Sequence, residues 1–355
     1  MKRLSHKTLA IITFSLYFGW ILSFPYEGPV MYAFAEEHSV SGVLLNTFTV
    51  FMHFIGLLVS GLITKDIYKA KKHMSITNII SIVATLIFPL TSGYTNFVIL
   101  PIVSMVAGVF VGSFGFYYKE YVKKEERVKF AADLLIYSNI ILVGAGAVTT
   151  HLSPYVGWGF IIAILLMTMF FVNKLNCDNK TYEAKIDCKV VDNRDSEKLL
   201  PKAFMVLCIF ILVITINSGL MFQVIYPAFQ SFEDVASIYT NIPYILMLAI
   251  LRNMSPKKDR YYILYVGLAL LGFAYIMFMA FEITLVSYFL IITAMLSCCG
   301  IFDLFWWSTL GDIFDYTDNP SKVFGGGLSM NVLGVWVGGV IGNFVVIYTE
   351  SATYM

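Results

Sequence analysis

The sequence predicts an all-α polytopic membrane protein made of two pseudo-symmetric six-helix bundles, in which about 11 transmembrane helices can be read. Three observations carry this. Of 355 residues, 58% are hydrophobic and 13% charged, with a mean hydropathy of +0.77, outside the range of soluble domains. Apolar stretches long enough to cross the hydrocarbon as helix recur along the whole chain. When those stretches are drawn as alternating spans, all 24 Lys and Arg fall on one side. The opposite loops carry only acids: Glu27, Glu36, Glu37, Glu233, Asp234, Glu282 and Glu350. Cations accumulate in short cytoplasmic loops, so a multi-pass protein of the cell membrane with a cytoplasmic N-terminus is expected.

In order, the spans cover residues 9–34, 43–64, 74–90, 97–117, 130–150, 156–172, 203–224, 235–251, 261–281, 283–310 and 323–348. Each must satisfy its own backbone in lipid, and no strand-like alternation is present, so each is read as helix. Pro25, Gly28 and Pro29 interrupt the first span near its outer end. That run is too long for the apolar region of a cleavable signal peptide. The polar segment 174–202 reads as a cytoplasmic linker between an N-terminal bundle, 1–173 (spans one to six), and a C-terminal bundle, 203–355 (spans seven to eleven). The bundles repeat. Tyr32 answers Tyr226, Asn46 answers Asn241, Tyr121 answers Tyr316 and Asn139 answers Asn331, at offsets of 192 to 195 residues. The two copies share one orientation, which makes the repeat a parallel duplication.

The loop after span two reads Gly61-Leu-Ile-Thr-Lys-Asp66-Ile-Tyr-Lys69-Ala-Lys71-Lys72. With six spans, a linker and a second set, it resembles the major facilitator superfamily of secondary transporters, whose loop carries Gly, Asp and trailing bases. Here the Gly-to-Asp gap is one residue longer, the second Gly is absent and Ile67 replaces a base. The resemblance implies twelve spans where eleven are read, so a shortened chain is expected. It also implies that spans two and eleven, and spans five and eight, meet between the bundles. On that basis Asp66 is placed against the N-terminus of span eleven, as a cytoplasmic gate. Gly334, Gly338 and Gly342, four apart on one helical face, are placed as a gating surface.

Ionisable groups inside a membrane are costly and mark function by default. Asp303, in span ten beside Trp306 and Trp307, has no cation in any span to pair with. It is read either as a carboxyl that holds a coupling proton or cation, or as an interface acid reaching water. Glu27 is either a lining residue of the outer cavity or a solvated loop acid. Asp133 reads as an acid at a helix start, favoured by the dipole. Asn46, His53, Asn139, Asn217, Gln223, Asn241, Ser329 and Asn331 are candidates to line a central cavity. Amides both donate and accept, which suits polar solutes, yet each also serves as glue between helices. His53, on an otherwise apolar face with Phe51, Phe54 and Leu57, reads as a packed histidine rather than a proton relay. The segment Gly311-Asp312…Asp315-Tyr316…Asp318…Lys322 looks like the span ten–eleven loop of sodium-coupled sugar symporters.

Several classes are excluded. A net charge of +1 leaves no nucleic-acid footprint. No phosphate-binding loop is present, which argues against ATP-driven transport, and no catalytic set lies in the spans. The five cysteines lack metal or redox spacing, and Cys298 and Cys299 read as small packing residues. No cofactor is expected. The expected function is secondary active transport of a small solute by alternating access, proton-coupled, by a monomer in the bilayer. The alternatives are a non-transporting membrane sensor on the same scaffold and a sodium-coupled sugar symporter.

Overall fold

A computed structural model describes residues 5–26, 28–38, 40–91, 95–176, 194–232, 239, 241–253 and 260–353. No strand occurs among the described residues. The first half contains α1 (His6–Ser23), α2 (Pro29–Glu37), α3 (Gly42–Ile63), α4 (Ile67–Ile87), α5 (Asn96–Ser113), α6 (Gly115–Tyr121), α7 (Arg127–His151) and α8 (Pro154–Lys174). The second half contains α9 (Arg194–Leu220), α10 (Ile242–Arg252), α11 (Arg260–Ala280), α12 (Leu285–Ile313) and α13 (Pro320–Thr353).

Nine helices among the described residues are long and apolar enough to cross a membrane. The other two predicted spans take a different form. Span one is divided, as its prolines require: α1 ends at Ser23, and Pro29 starts α2 at a position where its missing N–H costs nothing. Span eight is represented by α10, 11 residues long, and the start predicted for it falls outside the described residues. So does residues 177–193 of the predicted linker. Span seven also loses regular winding, through a π-helical turn at Met221–Ile225 just before Pro227.

Local chemistry sets the helix starts. Ser5, Ser41, Asp66 and Ser153 each accept a hydrogen bond from a backbone N–H in the first turn of their helices. Thr284 and Ser287 form a reciprocal capping box at the start of α12. Within the first half, α1 packs on α7 and α8, α3 on α5, and α4 on α5 and α8. Polar side chains fasten the helices of this half to one another. Tyr17 and Ser81 share a 2.8 Å bond, Asn78 donates to the Leu165 carbonyl and Trp158 to that of Thr85. Within the second half, α9 packs on α13, and α12 on α10 and α11. The halves meet where α3 and α5 face α13, and where α7 faces α10 and α12. These are the span two–eleven and five–eight contacts that the resemblance implies.

The basic loops gather at one end of the molecule. Lys7 pairs with Glu126 at 2.7 Å, and Lys71 donates to the carbonyls of Asn173 and Leu175. At the other, acidic end, Tyr155 donates to Glu37 at 2.8 Å.

Candidate functional site

A cavity of about 210 Å³ lies between the halves, lined from α1, α3, α5 and α7 on one side and from α9, α10, α12 and α13 on the other. Helical phase selects its walls. On α13 the lining residues are Leu328, Asn331, Val332 and Val335; on α9 and the π turn that continues it they include Ile214, Ser218, Met221 and Phe222. Both sets follow the three-and-four spacing of a single helix face. On α12, Cys299, Asp303, Trp306 and Trp307 share a face in the same way.

Asp303 lies in the cavity wall, ten residues before the end of α12, and accepts a 2.6 Å hydrogen bond from the Tyr244 hydroxyl of α10. It is the one acid lining the cavity among the described residues, and no Lys or Arg lines it. On the opposite wall, the Nδ1 of His53 lies 2.9 Å from the Ser104 carbonyl oxygen. A carbonyl only accepts, so Nδ1 bears the proton and, in the neutral ring, Nε2 is left as an acceptor. The Tyr26 ring stands edge-on to this imidazole, 5.7 Å between centroids. His53 is therefore both packed and cavity-lining. No group of three potential metal ligands occurs among the described residues.

Four of the eight predicted lining residues meet here: His53, Asn139, Asn241 and Asn331. Asn139 also donates back to the Leu135 carbonyl. The other four lie off the cavity. Asn217 is one residue out of phase with Ser218, and Ser329 is out of phase with Leu328 and Asn331, donating instead to Gly326 in its own helix. Gln223 packs on the Gly342 face of α13. Asn46 shares the His53 face but sits two turns nearer the acidic end and is buried. Glu27 lies outside the described residues.

The structure corrects both predicted gating features. Asp66 turns to its own helix, capping the Lys69 N–H at 2.7 Å, with the Lys69 ammonium 3.8 Å away. The start of α13 is met instead by the Gly61 carbonyl, to which Asn319 donates at 3.0 Å, and by Ser60, 3.5 Å from Ser321. The glycine face of α13 is turned toward α9 of the same half. A Cβ at Gly334 would collide with Thr215, and one at Gly338 with the Ile216 carbonyl. Nine residues before Gly334, and so half a turn away in phase, Gly325 faces the other half. A Cβ there would lie 2.5 Å from the Leu57 carbonyl oxygen.

Ion pairs between the halves close the basic end. Arg127, at the start of α7, holds Asp315 with two bonds of 2.9 and 2.5 Å and reaches Asp312 at 3.4 Å. Its side chain is 3% exposed. Asp133, one and a half turns further along α7, takes a two-bonded grip from Arg252 at the end of α10. Lys119 donates to the Thr317 carbonyl at 2.6 Å. Asp133 is thus more than a helix-start acid, and Asp312 and Asp315 more than a solvated patch.

No protein-family model matches the sequence, and no curated protein matches it. Solved structures do match, along nearly the whole chain. The human organic anion transporter MFSD10 (TETRAN) is similar with a TM-score of 0.67 and 12% identity, covering 95% of this chain and 91% of that one. The major facilitator superfamily transporter FucP, in the outward conformation, gives 0.63 and 14%, covering 97% and 92%. A bacterial homologue of the iron transporter ferroportin, in an outward-facing state, gives 0.69 and 13%, covering 96% and 92%. The chain has the major facilitator fold.

Proposed function

We propose that this chain is a secondary active transporter moving a small solute by alternating access, with a proton as the coupling ion. One observation carries the reading: a cavity between the two halves, lined among the described residues by one acid and by no Lys or Arg, with ion pairs joining the halves at one end. An isolated carboxylate in low dielectric is costly, so a proton or a cation should accompany it across the membrane. The bias of Lys and Arg supports a cytoplasmic basic end, which makes the structure one closed to the cytoplasm. Opening there separates Arg127 from Asp312 and Asp315, and Arg252 from Asp133, while the acidic end closes over the cavity. The protein works as a monomer in the cell membrane.

Purified protein in liposomes tests this. A mixture of small solutes is supplied outside, a pH gradient is imposed, and the lumen is sampled by mass spectrometry. At least one solute should accumulate with the gradient, and Asp303→Asn should abolish that accumulation in folded protein. Binding without any lumenal solute would replace the transporter with a sensor on the same scaffold.

A further inference from the structure

We infer that the solute is a small organic cation, an amine with a neighbouring hydroxyl, whose ammonium occupies Asp303 in place of the proton. The competition with the proton rests on the transporter reading above; the preference for a cation does not.

Charge and surface both point to it. An anion would meet the Asp303 carboxyl with no Lys or Arg among the described lining residues to offset it. An inorganic cation would need several oxygen ligands, and the walls offer aromatic faces instead: Tyr26, Phe222, Tyr244, Trp306 and Trp307. Such faces attract an ammonium through the ring quadrupole and cover the apolar part of an organic molecule. The 210 Å³ volume suits a compact guest. His53 contributes an acceptor nitrogen, given its Nδ1 bond to Ser104.

A second observation is independent of charge. Trp306 is 2% exposed and lines the cavity, and its indole N–H has no partner among the described residues. A buried donor left unmatched is costly; this nitrogen is sealed from the cavity as it stands, and an oxygen on the guest satisfies it once the ring turns toward the cavity. An ammonium on Asp303 with a hydroxyl nearby meets both needs on one face of α12.

The titratable groups around Asp303 are few. Among the described residues they are Tyr244 from α10, Cys298 and Cys299 from its own helix, with Tyr275 of α11 beside those cysteines, and His53 and Tyr26 across the cavity. The facing side chains of α7, α9 and α13 are Asn139, Ser218 and Asn331, none of which titrates. A single carboxyl therefore serves proton and ammonium in turn. Lowering the pH weakens ammonium binding, by about tenfold per unit once the carboxyl is protonated.

Calorimetry on the purified full chain tests this with three matched probes: 2-amino-1-phenylethanol, its neutral counterpart 1-phenylethane-1,2-diol, and the anion mandelate. The amine should bind at least ~10-fold more tightly than the diol, and mandelate most weakly. The pH dependence should vanish in Asp303→Asn, which assigns it to that carboxyl rather than to His53. The ranking on the wild-type protein stands even if the variant misfolds. Mandelate or the diol binding as well as the amine would overturn the inference, as would amine affinity unaffected by pH in the wild type. Amine binding with the expected pH dependence but no exchange across liposomes would instead defeat the transporter reading and leave the cation site standing.

Discussion

Replacing Arg127 with glutamine should release the basic end. The guanidinium is 3% exposed, while Asp312 and Asp315 are 27% and 38% exposed. Removing one partner from a fully buried pair costs about 3–5 kcal/mol, and an exposed pair contributes about 1 kcal/mol or less. This pair lies between those limits, because the acids regain water when the arginine is gone. About 2 kcal/mol is a fair value, equivalent to a shift of about thirtyfold in the closed-to-open ratio. Spin labels at Glu125→Cys and Asp318→Cys, in a background with the five native cysteines replaced, report the separation of the halves at this end. Both positions are exposed and belong to opposite halves. Double electron–electron resonance should show a longer-distance population growing in Arg127→Gln. Asp315→Asn should do the same, and the double variant should shift less than the sum of the two. An unchanged distance distribution, or strictly additive shifts, would refute the pairing as a closure.

Three further outcomes are expected. Asp66→Asn should leave the same distance distribution unchanged, since Asn caps a helix as well as Asp, whereas Asp66→Ala should lower stability by about 1 kcal/mol in thermal unfolding. Gly338→Ala should destabilise the protein by about 2 kcal/mol or more, because its Cβ would meet the Ile216 carbonyl, while Gly339→Ala, with its nearest neighbour at 3.9 Å, should not lower the melting temperature. Asp133→Asn should open the basic end in the label assay by less than Arg127→Gln does, because its partner Arg252 is 29% exposed and keeps much of its hydration.

Helix positions were readily legible in the sequence because each span is a local property of composition. The span predicted at 43–64 is Gly42–Ile63 in the structure, and that at 156–172 lies within Pro154–Lys174. The break in span one followed from Pro25 and Pro29. What the sequence could not show was pairing. Asp133 and Arg252 are 119 residues apart, and Arg127 and Asp315 188, with nothing local to mark either as a partner. The cavity was legible only in part, because polarity marks which residues belong in a helical interior but not which way they face. Asn331 and Ser329 are equally polar, yet helical rotation separates them.

The first long helix of each half departs from regular α-helical winding near its end: α1 stops at Ser23 before Pro29 starts α2, and a π turn at Met221–Ile225 follows α9 just before Pro227. A helix interrupted at proline or by a π turn bends there at lower cost than along its regular shaft. Each half therefore carries a pliable tip above a stiff stem. On the transport reading proposed above, the rim over the chamber tilts inward while the stems below keep their grip on their neighbours, so sealing one mouth does not depend on first prising apart the other.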